Sequence, residues 1–187
     1  FSSMGSLVYV PGGPQAAADL TLLWVDRKRT EQPLPAPTHA YANPRLSPDG
    51  RQVALEIAEA SKSDIWLYDL IRDTLTRLTF EGTNTFPIWT PDGKRVAYRS
   101  QRAGVQNIFW TAADGSGAEE RLTTVGAANQ TPTSFSPDGR TLVYNQQDPK
   151  TGYDLWMIPL QGERKPQIFL QTPFNERSQR LSPDGRW

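Results

Sequence analysis

Short apolar runs alternate with polar turns along this chain, and the alternation repeats about every 45 residues. In each repeat a basic residue is followed by an apolar triplet, and a longer run with a two-residue period begins about ten residues later. A third, more polar run follows, which suits an edge strand that faces water. A two-residue period between turns is typical of β-strands. The pattern predicts second strands at 53–55, 96–98 and 142–144, third strands at 64–69, 107–111 and 154–158, and outer strands at 76–79, 120–123 and 167–170.

One turn sequence precedes each apolar triplet and occurs four times, at 47–51, 90–94, 136–140 and 182–186, with steps of 43, 46 and 46 residues. Its core is Pro-Asp-Gly after Ser or Thr. Pro fixes φ, Asp can accept a backbone N–H, and Gly tolerates a positive φ, so each copy predicts a hairpin tip. The residues assigned to these structural turns are Asp49, Gly50, Asp92, Gly93, Asp138, Gly139, Asp184 and Gly185.

The length of the repeat is that of a four-stranded propeller blade. We therefore expect an all-β fold, a β-propeller of four-stranded antiparallel blades with about four blades' worth of strands, and a fragment of a larger propeller. Residues 1–9 are interpreted as a degenerate copy of the same repeat, and its further strands are predicted near 20–26 and 32–34. The expected organisation is one partial propeller domain over 1–187, with repeats at about 1–40, 41–83, 84–128 and 129–174 and the start of a fifth at 175–187.

Composition removes several classes of function. The 187 residues carry 20 basic and 20 acidic side chains and a net charge of zero, so no electrostatic footprint for nucleic acid is present. No apolar stretch approaches the ~18 residues that a membrane span needs, which predicts no direct membrane insertion. The absence of Cys excludes disulfides, thiolate metal sites and a cysteine nucleophile.

The chain offers little for catalysis. It has no Gly-x-Ser-x-Gly elbow, and its one histidine, His39, lies in a predicted loop. One His without Cys also argues against zinc. The turn aspartates are about 45 residues apart, unlike the ligands of a calcium loop, which lie within about 12 residues. The sequence therefore predicts no catalytic residues, no metal and no cofactor.

The aromatic residues of the third strands, Trp66, Phe109 and Trp156, occupy one repeat position and are predicted to pack between blades rather than to hold a ligand. Trp89, just before a turn, is likewise expected in the core.

Polar residues of differing identity lie in the loops that lead into the inner strands, where propellers commonly bind their ligands. An Asn recurs there, and its alternative role is to cap the loop. The candidate ligand-binding residues are His39, Tyr41, Asn43, Asn84, Thr85, Asn129, Gln130, Asn175, Glu176 and Arg177.

The repeat unit, with Pro-Asp-Gly followed by Val-Ala-Tyr, Asp-Ile-Trp and Arg-Leu-Thr, resembles the WD-like repeat of TolB-type β-propellers. More narrowly, segments such as 64–66, 87–93 and 172–176 are similar to the C-terminal propeller of bacterial eukaryotic-like serine/threonine protein kinases. Related propellers also form the N-terminal gating domain of prolyl-oligopeptidase-type peptidases.

The resemblance implies a non-catalytic bacterial binding or scaffold module, periplasmic or otherwise extracytoplasmic, that binds protein or peptide. It is TolB-like or the sensor domain of a receptor kinase. The alternative is a peptidase's gating propeller without its hydrolase domain. Open blade edges also predict possible self-association.

Overall fold

The computed structural model describes residues 7–9, 20–59, 61–123, 128–177, 179–182 and 184–185, and every regular element in them is a β-strand. Of the repeat copy predicted at residues 1–9, residues 1–6 lie outside the described residues. The fifteen strands are β1 Leu7–Tyr9, β2 Leu23–Val25, β3 Glu31–Pro33, β4 Tyr41–Leu46, β5 Gln52–Glu59, β6 Lys62–Asp69, β7 Thr74–Arg77, β8 Asn84–Trp89, β9 Arg95–Ala103, β10 Val105–Ala112, β11 Glu120–Arg121, β12 Gln130–Phe135, β13 Thr141–Asp148, β14 Gly152–Pro159 and β15 Gln167–Leu170.

The strands form four sheets in simple sequential order, β1-β2-β3, β4-β5-β6-β7, β8-β9-β10-β11 and β12-β13-β14-β15. The paired strands run antiparallel. The predicted second, third and outer strands are thereby confirmed in their order within each sheet. The chain divides into two compact units, Phe1–Trp89 and Thr90–Trp187, which are described one at a time.

In the first unit the apolar faces of the first two sheets meet around Leu22, Tyr41, Leu55 and Tyr68, which are all buried. Trp66 packs against this cluster from the third strand. The period-2 pattern produces this arrangement, because it sends alternate side chains of each strand to the same face.

Trp89 is buried in the first unit, as expected from the sequence, and its indole also has a polar role. Its Nε1–H donates to the Arg45 carbonyl at 2.8 Å, which joins β8 to β4 across 44 residues. In the second unit, aromatic rings on neighbouring strands stack in pairs. Tyr98 stacks on Phe109 and Tyr144 stacks on Trp156, and in each pair the ring centroids are 6.5 Å apart.

The turn of the second sheet has the geometry that its sequence predicts. The Ser47 carbonyl accepts the Gly50 N–H at 2.9 Å, and Gly50 has a φ of 73°. The Ser47 hydroxyl donates to Asp49 Oδ1 at 2.6 Å and accepts the Gln52 N–H at 2.9 Å. Asp49 Oδ1 also accepts the Arg51 N–H at 3.1 Å. Asp92, Asp138 and Asp184 accept the equivalent hydroxyl hydrogen bonds at 2.6 to 2.7 Å.

Replacing Asp92 by Ala should lower the free energy of unfolding by about 1 kcal/mol, because the carboxylate accepts hydrogen bonds from the Thr90 hydroxyl and the Lys94 N–H. The same two donors hold the pKa of Asp92 below its usual value. A lowered folded-state pKa gives stability that is present above the unfolded pKa of about 3.9 and is lost as the pH falls through the folded pKa. Urea unfolding should therefore show a difference between wild type and D92A at neutral pH that shrinks below about pH 4. A gain in stability on adding calcium that vanishes in D92A would contradict this capping role.

Candidate binding site at the starts of the inner strands

In the first unit the start of β8 is tied to the start of β6 by a buried polar network around Asp64. Arg77 Nη2 donates to Asp64 Oδ2 at 2.5 Å, and the other carboxylate oxygen accepts from Thr79 Oγ1 and Asn84 Nδ2 at 3.0 Å each. Thr79 Oγ1 in turn accepts the Ile65 N–H at 2.9 Å, and Asn84 Nδ2 also donates to the Glu81 carbonyl. The Asn84 side chain therefore joins the third strand of one repeat to the inner strand of the next. We call such a link a junction.

The second unit contains a junction with the same plan and neutral side chains. Asn107, at the repeat position of Asp64, donates to Gln130 Oε1 at 3.2 Å, and Gln130 stands at the position of Asn84. Thr123 Oγ1 accepts the Ile108 N–H at 3.1 Å, as Thr79 does for Ile65. Arg121 Nη1 reaches Asn107 Oδ1 at 3.5 Å. The linking residue of the third strand is charged in the first junction, where it is Asp64, and neutral in the second, where it is Asn107. Both junctions nevertheless link one repeat to the next.

The recurring Asn just before the inner strand caps the preceding third strand. Asn129 Oδ1 accepts the Gln106 N–H at 3.3 Å, and Asn175 Oδ1 accepts the Tyr153 N–H at 3.0 Å. Asn175 lies so close to Gly152 that a Cβ there would come within 2.5 Å of Asn175 Oδ1, and Gly152 has a φ of 93°. At these two positions the Asn side chain therefore binds the backbone of the neighbouring third strand.

His39 belongs to an aromatic cluster in the first unit. Its ring stacks on Trp66 with centroids 6.5 Å apart and meets Tyr41 edge-on at 5.6 Å, while its backbone pairs with Leu20. The buried Tyr41 hydroxyl donates to the Pro37 carbonyl, and burial raises the pKa of Tyr41 to about 12. The His39 ring therefore lies in packing contacts and remains half-buried.

The inner strands contain an irregularity that sequence reasoning missed. Asn43 and Phe86, which occupy the same repeat position, have φ values of 49° and 55°, a left-handed conformation that is costly for a bulky side chain. The β4–β5 register shifts between Ala42 and Arg45, so a bulge begins at Asn43. Bulges redirect side chains and are frequent beside functional sites. Phe at a positive φ has no signal in the sequence, which explains why Phe86 was not a candidate.

The candidate residues differ in accessibility. Asn84, Thr85, Gln130 and Tyr41 are buried. Half-buried are His39, Asn43, Asn129 and Glu176; of these, Asn43 donates to Glu56 Oε2 at 3.0 Å. Asn175 and Arg177 are exposed, and the Arg177 guanidinium lies 4.0 Å from the centroid of the Tyr153 ring.

Two further observations limit the chemistry. In the described part of the chain, no three His, Asp or Glu side chains gather in a group that could hold a metal ion. The same residues include no helix of the length and apolarity needed to cross a membrane.

One three-stranded and three four-stranded antiparallel sheets in sequential order, with a buried link of the same plan at the two junctions described above, define the chain as a β-propeller protein. Residues 17–187 match the family described as the TolB beta propeller domain. The chain belongs to this family.

Individual proteins of known identity are also similar to this chain. The chain is 30% identical over 110 residues to the Tol-Pal system protein TolB of Wolinella succinogenes, which covers 58% of this chain and 25% of that protein. The crystal structure of TolB from Acinetobacter baumannii superposes with a TM-score of 0.80 at 22% identity, over 97% of this chain and 44% of that one. A prolyl endopeptidase superposes with a TM-score of 0.66 at 17% identity, over 90% of this chain and 28% of that one.

The chain thus spans a quarter of the Wolinella protein and under half of the Acinetobacter one. The likeness to the two solved structures concerns the fold. The expected similarity to kinase-attached propellers as the nearest family finds no support in these comparisons.

Proposed function

We propose that this chain is a non-catalytic protein-binding or peptide-binding module of the TolB type, acting outside the bacterial cytoplasm. Membership of the TolB propeller family carries this proposal. The relative from Wolinella succinogenes is named as a protein of the Tol-Pal system. Family membership therefore favours a protein or peptide as the ligand.

The proposed binding surface consists of the accessible residues at the starts of the inner strands. We leave out Asn84 and Gln130, which are buried and already bond within a junction, and Thr85, which is also buried. The surface in the second unit then centres on Asn175, Arg177 and the Tyr153 ring beneath that arginine. A guanidinium held over an aromatic ring presents both a charge and an apolar face, which suits a peptide carrying a carboxylate.

Selection from a peptide display library on the immobilised chain tests this surface. We expect enriched peptides to bind R177A at least tenfold more weakly than wild type, since R177A removes the only guanidinium of this surface while leaving the junctions intact. R140A is the matched control, because Arg140 is also exposed and lies at a turn tip. Peptides that bind R177A as tightly as wild type would contradict the assignment.

The peptidase-type alternative is favoured by one observation, the fold likeness to a prolyl endopeptidase. We expect the isolated chain to show no turnover of generic ester and peptide substrates, because it lacks a nucleophile elbow and its one His packs against Trp66. Turnover that His39→Ala abolishes would overturn the non-catalytic assignment. The full-length coding sequence would show whether a hydrolase domain is attached to this propeller, or a kinase domain with a membrane span.

A further inference from the structure

Two arginines, a tryptophan and a glutamate form a surface cluster in the second unit. Arg95 begins β9, Trp110 lies on β10 and Glu120 begins β11, while Arg164 comes from the loop between β14 and β15. The guanidinium carbon of Arg95 lies 4.3 Å from the centroid of the Trp110 ring, and that of Arg164 lies 5.8 Å from it. We call these four residues the outer cluster.

The Glu120 carboxylate holds the outer cluster together. Its Oε2 accepts the Trp110 Nε1–H at 2.7 Å, and its Oε1 accepts from Arg164 Nη1 at 2.5 Å. Arg95 Nη1 lies 3.6 Å from Oε2, which is an ion-pair distance but too long for a hydrogen bond. Arg164 therefore neutralises Glu120, and the positive charge of Arg95 is the one that remains for another partner.

The guanidinium of Arg95 is held in place on the indole ring, but its donors are not used. Its side chain is 46% exposed, and within the described residues none of its guanidinium N–H groups donates a hydrogen bond. A guanidinium stacked on an aromatic ring keeps its N–H groups in its own plane, where they can meet a carboxylate through two parallel hydrogen bonds. Stacking on Trp110 therefore orders Arg95 in advance for such a ligand.

The fold does not require this cluster. A shared turn hydrogen bond and the strand registers identify the positions equivalent to Arg95, Trp110 and Glu120 in the other two four-stranded sheets. The residues there are uncharged and not aromatic, namely Gln52, Leu67 and Thr76 in one sheet and Thr141, Met157 and Gln167 in the other. The same strands thus pair without the cluster, which favours a role other than building the sheet.

We propose that the outer cluster binds an acidic segment of a partner protein, with Arg95 as the anchor for a carboxylate. Trp and Arg are residue types that dominate the binding energy of protein interfaces. This surface is distinct from the one at Tyr153 and Arg177. Tyr153 lies at the start of β14 and Arg164 follows its end, and an eight-residue strand spans about 26 Å.

The charges favour a carboxylate as the group that is bound. Two guanidiniums and one carboxylate leave a single positive charge, which a carboxylate balances better than a phosphate dianion does. The cluster already holds one carboxylate, that of Glu120, so its spacing suits this group. Next to the cluster in the sequence, Lys94 and Lys165 are exposed cations and Glu163 is an exposed acid, so the surrounding charge also attracts an acidic segment.

NMR spectra of the ¹⁵N-labelled chain, titrated with a hexaglutamate peptide at low ionic strength, test the proposal. The indole N–H signal of Trp110, assigned by its loss in W110F, should shift with hexaglutamate and stay in place with hexaglutamine. R95Q should weaken the binding measured from this shift at least tenfold, because it removes the charge and the paired donors. R140Q is the matched control, since Arg140 is exposed at the turn of the fourth sheet, and it should bind like wild type.

A second substitution separates charge from geometry. R95K keeps the positive charge but not the planar pair of donors, so its affinity should lie between those of wild type and R95Q. An unshifted Trp110 signal, or equal affinities of R95Q and wild type, would overturn the proposal. An equal shift with inorganic phosphate at the same concentration would show a simple anion site and would also overturn it.

R177A distinguishes this inference from the proposed function. It should leave the Trp110 shift unchanged, because Arg177 belongs to the surface at the other end of β14. A shift that is lost in R177A and kept in R95Q would assign the acidic peptide to that other surface and refute the outer cluster as its site.

Discussion

Replacing Arg77 by Met should lower the free energy of unfolding by about 3 kcal/mol, because it leaves the Asp64 carboxylate buried without its positive partner. The Asp64 side chain is only 9% exposed, and Arg77 Nη2 lies 2.5 Å from it. Met keeps most of the aliphatic packing of arginine, so the loss reports the charge and its hydrogen bond. The value lies at the low end for a broken buried pair, since the Arg77 side chain is itself 35% exposed.

Urea unfolding of R77M beside R72M measures this effect. Arg72 pairs with Asp69 at 3.9 Å, but its side chain is 80% exposed, so the same substitution there should cost less than about 0.5 kcal/mol. Equal losses in the two variants would show that the junction contributes no more than a surface ion pair.

The second junction provides an internal comparison. Arg121 reaches a neutral Asn107 at 3.5 Å, so R121M should cost only about 1 kcal/mol. The loss in free energy of unfolding should therefore be largest for R77M, smaller for R121M and smallest for R72M. This order would follow the charge and burial of each arginine's partner.

The sequence predicted the strands and turns because both depend on local rules. The two-residue period assigns the strands, and Pro-Asp-Gly specifies a turn whose hydrogen bonds lie within six residues. The order of strands in each sheet follows, since consecutive short strands joined by tight turns pair with their neighbours.

The candidate site was predicted less completely because its contacts are not local. Asn84 is buried and donates a hydrogen bond to Asp64, which is 20 residues away in the sequence. No local pattern distinguishes it from an exposed Asn in a loop. Phe86 has a positive φ, a conformation that a Phe side chain does not indicate in the sequence. Comparing the repeats position by position does show that Glu176 takes the place of Asn84 and Gln130.

The outer strand β15 should promote self-association of the chain. Its residues Gln167–Leu170 are all exposed and uncharged, and Phe169 is 61% exposed. The outer strands β3, β7 and β11 instead carry Glu, Arg or Pro, residues that discourage pairing of edges. With a net charge of zero, two copies have no overall repulsion. We expect the occupant of this edge to be the same strand of a second copy.

Light scattering over a range of concentrations, with wild type, F169R and I71R, tests this expectation. Arg at position 169 places a charge in the apolar edge, so it should weaken association at least tenfold. Ile71 is 69% exposed in the loop after β6, and I71R should associate like wild type because it adds the same charge away from the edge. Wild type that stays monomeric at every concentration would exclude association through β15. An equal loss of association in both variants would show that added charge alone is responsible, whereas a loss confined to F169R would locate the contact at this strand.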